Sequence, residues 1–301
     1  MKILITGVSG GIGLYLVRAF RGEEVWGLAR RNPPAKVCSN FSACDVSQWR
    51  AVEGVATEVR ATWKHLDAII HCAGTQGAVG EAMTVDPTEW ANTVRSNIEG
   101  AYFILRAFFP LLGSTQSRSK VILFSGGGAS KPRPNFSAYG CAKTALVRLV
   151  ETLAEEWKQF PIDINIVAPG AINTAMTREV ISLGPAKSGR EEYARATKQL
   201  DSGGDSIENV EVMIRFLLSR QSDGITGRFL SAQWDRIEQL LPARDSLAMS
   251  DLYTLRRVAS EACKADASPT NHARLDASLT RSHGIAVNES FCHCWLRTHR
   301  T

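Results

Sequence analysis

Tyr139 and Lys143 stand four residues apart in a segment with helical apolar spacing, so both side chains fall on one helix face, about 6 Å apart along its axis. An ammonium so placed favours the phenolate and lowers the tyrosine from its usual value of about 10. A phenol tuned in that way exchanges protons near neutral pH, as a general acid/base must. Tyr-x-x-x-Lys also occurs as a purely structural pair, so its meaning depends on what else the chain brings to the same place.

A second group of residues suits anion binding. Thr6-Gly7-Val8-Ser9-Gly10-Gly11-Ile12-Gly13 follows an apolar run at 2–6 and leads straight into a helical run at 14–20. Glycines let the backbone turn sharply and approach a pyrophosphate, while a helix start offers free N–H groups and the positive end of its dipole. A glycine turn without a ligand shares the composition but not the strand, loop and helix order. Where the next apolar run ends, an NAD site would carry Asp or Glu for the adenosine ribose. This chain has Leu28-Ala29-Arg30-Arg31 instead. A guanidinium grips a 2'-phosphate bidentately, so NADP(H) is the expected cofactor and NAD(H) the alternative. Arg30 is the first choice for that contact and Arg31 the second, against a reading of both as solvated loop residues.

These groups need a scaffold that delivers them to one edge. Short apolar runs at 2–6, 24–29, 40–44, 66–71, 120–125, 162–168 and 228–231 alternate with helix-period segments near 12–21, 47–63, 87–112, 138–159 and 207–219. That alternation predicts an α/β fold, a doubly wound parallel sheet of Rossmann type with its ligand site at the carboxyl ends of the strands. The expected organisation is a single catalytic domain over residues 1–235 with a C-terminal extension. Within the domain, the polar segment 174–205 reads as a substrate lid or as a surface connection. Residues 236–263 read as a helical extension, with an amphipathic stretch near 245–262, and 264–301 as a poorly ordered tail.

The glycine spacing is Gly7-x-x-x-Gly11-x-Gly13 after Thr6, and in this form it resembles the classical short-chain dehydrogenase/reductase family; the later motifs keep the family's order to about residue 235. The resemblance implies dinucleotide contacts from Gly7, Ser9, Gly11, Ile12 and Gly13. It also implies that Asp45 and Val46 meet the adenine, although Asp45 also reads as a helix cap. Ala73 and Gly74 match the family's Asn-Asn-Ala-Gly, with His71 and Cys72 in place of the asparagines. Pro169, Gly170, Ile172 and Thr174 match its Pro-Gly-x-x-x-Thr, which implies that Ile172 and Thr174 fix the nicotinamide carboxamide. Ser125 resembles the catalytic serine that bonds the substrate oxygen, or else is a strand-terminal hydroxyl serving the backbone. Asn97 resembles the asparagine that interrupts a helix and holds a proton-relay water, or else is a kink or cap.

The implied reaction is hydride transfer between NADP(H) and a small-molecule carbonyl or alcohol. Ser125 would orient the carbonyl, Tyr139 protonate it, Lys143 anchor the ribose and support Tyr139, and Asn97 sustain the relay. A 3-oxoacyl-thioester reductase, a sugar ketoreductase and a non-catalytic dinucleotide sensor are the alternatives. The family implies a homodimer or homotetramer built on helices near 98–112 and 138–159, and the apolar run 101–112 exceeds what one sheet-facing stripe needs. The other reading of that run is a helix deep in the monomer core.

Composition excludes several other classes. The 301 residues are 44% hydrophobic, and 35 basic against 30 acidic residues give a charge of +5 with no long run of either sign, so no nucleic-acid partner is suggested. No stretch approaches the roughly 18 apolar residues that span a bilayer, so a soluble cytoplasmic protein without a membrane partner is expected. The 7 cysteines lack framework spacing and read as reduced thiols. Cys292-His293-Cys294 lacks a second ligand pair and reads as plain tail, so no metal is expected.

Overall fold

The apolar runs become the strands of one seven-stranded sheet. They are β1 (Lys2–Thr6), β2 (Glu24–Ala29), β3 (Asn40–Ala43), β4 (Ala68–His71), β5 (Ser119–Phe124), β6 (Ile162–Ala168) and β7 (Phe229–Ser231). The computed structural model describes residues 1–34, 37–113 and 118–258, and Met1–Leu255 form one compact unit. Every neighbouring pair is parallel, in the order β3-β2-β1-β4-β5-β6-β7. The chain reverses direction across the sheet between β1 and β4, which opens a crevice outside their carboxyl ends. Register brings those ends level: Thr6 lies beside Leu28 and His71, His71 beside Leu123, and Phe124 beside Val167.

Both faces of the sheet are covered, as strands buried on both sides require. Leu4, Ile69, Val121 and Ile164 face α2 (Trp49–Thr62), α3 (Pro87–Phe108) and α4 (Ser137–Glu156). Their neighbours Ile3, Ile5, Ile70 and Ile122 face α1 (Gly11–Ala19) and α8 (Ile207–Leu218), as the two-residue side-chain period dictates. Pro87 at the first position starts α3, and the Asp86 carboxylate accepts from the Thr88 and Glu89 N–H groups. Most of the apolar run 101–112 is buried inside the monomer, but Phe103 and Phe109 are half-buried. Ala101, Ile104, Leu105, Ala107, Phe108, Leu111 and Leu112 are buried in the core, and Tyr102 is exposed. Much of the apolar excess of this run is the double cover of a central helix packed between α2 and α4, and Tyr102, Phe103 and Phe109 are the apolar side chains it leaves wholly or partly open.

One segment carries helices that its sequence reading did not assign, and another differs in extent from its reading. The polar stretch after β6 is helical, as α5 (Ala175–Ser182), α6 (Gly184–Ser188) and α7 (Arg190–Ser202). After β7, α9 (Ile237–Leu247) precedes the amphipathic stretch expected at 245–262 and sets Leu240 and Leu247 into the core. Arg228 ties down the last carbonyl of that helix and the chain just beyond it: Nη2 donates to Leu247 O, and Nη1 to Ser250 O and Leu252 O at 2.9 Å each. Residues 264–301, with Cys292-His293-Cys294, lie outside the described residues. Among the described residues no helix is long and apolar enough to cross a membrane.

The amino-terminal ends of β5 and β6 carry a buried charge cluster. Lys120 Nζ contacts Asp163 Oδ2 at 2.8 Å and Asp223 Oδ1 at 2.7 Å, and Arg118 Nε donates to both Asp163 oxygens at 3.0 Å. With every charge paired, the burial of Asp163 and Lys120 is tolerated.

Candidate active site

The glycine loop is built by close backbone contacts. Gly7 has φ +76, and a Cβ there would stand 2.9 Å from Ala73 N; one on Gly13 would run into the Gly7 carbonyl. Only glycine permits both that conformation and that approach. Gly7 N–H donates to Leu28 O at 2.7 Å, which holds the loop against the end of β2, where Arg30 and Arg31 are exposed. Thr6 Oγ1 accepts from Ala73 N at 3.0 Å and lies 3.0 Å from His71 Nδ1. Gly10, the cap of α1, brings no side chain to the first helical N–H groups, which leaves them for an anion. Ser9 is exposed beside them, Ile12 anchors the helix in the core, and a Cβ on Gly11 would lie 3.6 Å from Thr174 Cγ2. The cradle thus has the open, side-chain-free floor that a pyrophosphate needs.

Ser125, Tyr139, Lys143 and Asn97 gather next to it. Ser125 directly follows β5, where its N–H donates to Val167 O at 2.9 Å and its hydroxyl to Lys143 O at 3.4 Å. Lys143 Nζ donates to Phe124 O at 3.0 Å and stands 5.6 Å from the centre of the Tyr139 ring. Gly126 faces Tyr139, and a Cβ there would be 3.3 Å from the hydroxyl. A Cβ on Gly74 would lie 2.8 Å from Asn97 Oδ1 and 3.5 Å from Lys143 Nζ, so those two groups border one small space. Asn97 Nδ2 donates to Thr93 O and Thr75 O at 2.9 Å each, while its buried Oδ1 has no partner. The expected break in the helix is absent: α3 runs through Asn97 because its amide bonds the preceding turn and the loop after β4 together.

Electrostatics correct one expectation. Burial raises the Tyr139 phenol above its ordinary value, and the opposing cation is Arg133. Lys143 does not lower it because burial acts on the lysine too, bringing it down to about 8, with the Cys72 thiol pulling the other way. Burial also holds His71 neutral, down to about 3, with Lys143 adding to the effect, and pushes the Cys72 thiol up.

The model of the short chain dehydrogenase family matches residues 1–182. The chain belongs to the classical short-chain dehydrogenase/reductase family. It is similar to a short chain dehydrogenase from Emericella variicolor, with 28% identity over 268 residues, 83% of this chain and 86% of that one. A benzil reductase ((S)-benzoin forming) from Saccharomyces cerevisiae is 26% identical, covering 78% of this chain and 97% of its own. A solved short chain dehydrogenase from Shigella flexneri complexed with NADP superposes with a TM-score of 0.63 at 22% identity, over 77% of this chain and 96% of that one. This family member is thus an oxidoreductase with a Rossmann-type sheet.

Other residues of this short-chain dehydrogenase/reductase edge the same crevice. Asp45 Oδ1 accepts from Ser47 N at 3.0 Å and Ser47 Oγ at 2.7 Å, and the α2 cap is Gln48, so Asp45 is a turn residue and no helix cap. Val46 packs under α3, 2.9 Å from where a Gly100 Cβ would be. Thr174 caps α5, accepting from Met176 N at 3.3 Å, which leaves its hydroxyl proton to donate. The Ile172 carbonyl accepts from Thr177 Oγ1 at 3.2 Å. Sequence reasoning missed two supports of this loop. Asp205 Oδ2 accepts from Ala171 N at 2.7 Å, and Gln233 Nε2 donates to Pro169 O at 2.7 Å, closing around Gly170 at φ +90. A glycine after Pro169 was the one local sign of so tight a place.

Proposed function

We propose that the chain interconverts a small carbonyl and its alcohol with NADP(H), using Ser125, Tyr139, Lys143 and Asn97. The convergence of those four side chains on Gly126 and Gly74, beside a cradle that side chains would fill, carries this reading. The benzil reductase relative, by its name, acts on a carbonyl, and the solved Shigella relative is complexed with NADP; both support it.

Gly7, Ser9, Gly11, Ile12 and Gly13 would hold the pyrophosphate, and Asp45 and Val46 the adenine. Ala73, Gly74, Tyr139 and Lys143 would border the ribose on the nicotinamide side, and Pro169, Gly170, Ile172 and Thr174 the carboxamide. When bound, the nicotinamide gives or takes the hydride; the protein supplies position and electrostatics. In reduction, the Ser125 hydroxyl rotates from Lys143 O to the substrate oxygen and polarises it. Tyr139 then gives that oxygen its proton, and its raised phenol is in the donor form at neutral pH. Asn97 Oδ1, an unpartnered acceptor beside Lys143, holds a water that returns the proton from solvent. Helices α5–α7 serve as the substrate lid: Val180 and Ala196 pack with Phe136, and Tyr139 lines the same cluster. A panel of ketones and aldehydes assayed for NADPH oxidation tests the reading. Tight NADPH binding with no turnover across the panel would favour a dinucleotide sensor instead.

Arg30 is assigned to the 2'-phosphate. Among the described residues neither it nor Arg31 has a carboxylate partner, so both guanidinium groups are open to an anion. Arg30→Ala is expected to weaken NADPH binding by roughly 1–3 kcal/mol and leave NADH nearly unchanged, as titration calorimetry would show. Equal losses for both cofactors would remove this assignment. A homo-oligomer also belongs to the proposal. With most of the apolar run of α3 used in the core, it rests chiefly on the family likeness; light scattering at micromolar concentration is expected to give at least twice 32.9 kDa.

A further inference from the structure

Arg133 lies on the segment joining β5 to α4, outside the group of four. Its guanidinium stacks 3.9 Å from the Phe136 ring centre and stands 5.7 Å from that of Tyr139. Nε and Nη2 both donate to Glu192 Oε1, at 2.9 and 2.6 Å, and Glu192 lies on α7. The pair is only 21% and 16% exposed, so water screens it far less than a surface ion pair. A second tie runs alongside: Asn135 Nδ2 donates to Lys187 O at 3.0 Å, on α6. Beneath both ties Phe136 is fully buried with Val79, Val180 and Ala196, and Tyr139, Ile181 and Leu183 pack on that cluster. The helices that cover the site are therefore docked onto the wall from which Tyr139 projects.

We propose that Arg133 is a positioning residue: through one ion pair with Glu192 it docks α7 over the site and fixes the charge that faces the acid/base group. This rests on Tyr139 being that group. The surroundings leave Arg133 with little competition. From α4 Tyr139 faces Lys143, which burial brings down to about 8, so it has already lost its charge in the alkaline range where the raised phenol ionises. From β4 the nearby Cys72 and His71 are held uncharged. The segment after β5 brings the neutral Ser125 and Gly126. From α5 come Val180 and Ile181, while Arg178 and Glu179 are exposed. On α7, Glu192 reaches Tyr139 only through Arg133, and Arg195 binds the far oxygen of Glu192 at 2.8 Å. Arg133 is the cation that opposes the effect of burial on the phenol.

The two partners thus act in opposite directions, which no merely structural role would produce. Removing Arg133 takes away the cation, and the phenol holds its proton more tightly; removing the Glu192 charge leaves the cation unopposed, and the phenol releases its proton more easily. The test is a tyrosinate absorbance titration of the whole protein, with Tyr139 read as the difference between each variant and its Tyr139→Phe derivative. The pH range is that in which circular dichroism is unchanged. Arg133→Gln is expected to move the midpoint up by about half to one pH unit, Glu192→Gln to move it down, and Arg133→Lys to leave it near the starting value. Backbone hydrogen exchange over Arg190–Ser202 is expected to rise in both glutamine variants. Should Arg133→Gln not fold, Glu192→Gln and Arg133→Lys carry the test. Shifts in the same direction for the two glutamine variants, or no difference among the proteins, would overturn the proposal. If the shifts appear but no carbonyl is turned over, the reading of the reaction fails and the role of the ion pair stands.

Discussion

Tyr139→Phe is expected to lower turnover by about two to four orders of magnitude while the protein stays folded and binds NADPH as before. The ring is what packs with Phe136, Val180 and Ala196, and phenylalanine keeps the ring. Among the described residues no protein group hydrogen-bonds the hydroxyl, so its loss leaves no buried partner unpaired. What disappears is the proton donor facing Gly126. Single-turnover rates with a good substrate, beside NADPH affinity and thermal melts of the same preparation, check the three parts together. A variant with near-normal turnover would remove Tyr139 from the mechanism. One that lost cofactor binding would make its contact with the ribose, and not its proton, the main contribution.

Lys143→Met is expected to cut turnover by a factor of 100 or more, on the scale of a lost general acid/base contribution, and yet make the cofactor-free protein more stable at neutral pH. Burial lowers the lysine to about 8 from the 10.5 it has when exposed. The folded chain below pH 8 therefore carries a buried ammonium at full desolvation cost, partly met by the Phe124 carbonyl. Between about 8 and 10.5 the folded protein has released the proton while the unfolded chain still binds it, so stability rises with pH through that window. Above it neither state is charged and the penalty is gone. Methionine fills similar space without charge, so the gain is expected to be on the order of 1–3 kcal/mol below pH 8 and to fade above 10.5. Urea unfolding at neutral and at alkaline pH measures it. A loss of stability at neutral pH would mean that the Phe124 hydrogen bond outweighs desolvation.

What could be read from the chain was what neighbouring residues decide. The bounds of β1, β2 and β6 follow directly from apolar runs between turn residues, and the other strands fall within two residues of their expected ends. The glycine loop was legible because its spacing, preceding strand and following helix are all local. Positions that depend on partners far along the chain were not. The stretch after β6 is polar, and α7 buries Ala196 alone, so its helices gain little from an apolar stripe of their own. They are held by Arg133, Asn135 and Phe136, more than fifty residues earlier for the Asn135 and Arg133 bonds. The end of α9 depends in the same way on Arg228. The acidity of Tyr139 was misjudged for a related reason. A spacing of four residues reveals the cation on the same helix, but how much water the fold leaves around either group belongs to the tertiary structure.

The paired charges of Lys120 and Asp163 lie at the opposite end of β5 from Ser125, some 17 Å away at about 3.3 Å per residue. The two cations and two carboxylates of that cluster also cancel one another, so little net field from it reaches the far end of the strand. The sheet consequently works as a spacer between a foundation and a workbench. Substitutions at the foundation can raise or lower the free energy of unfolding without altering the pH dependence of the chemistry. Those at the workbench can redirect chemistry without loosening the foundation. Variation acting on one end is largely invisible to the other, so a lineage or a laboratory selection can retune the reaction first and restore lost stability afterwards, at residues that never meet the substrate.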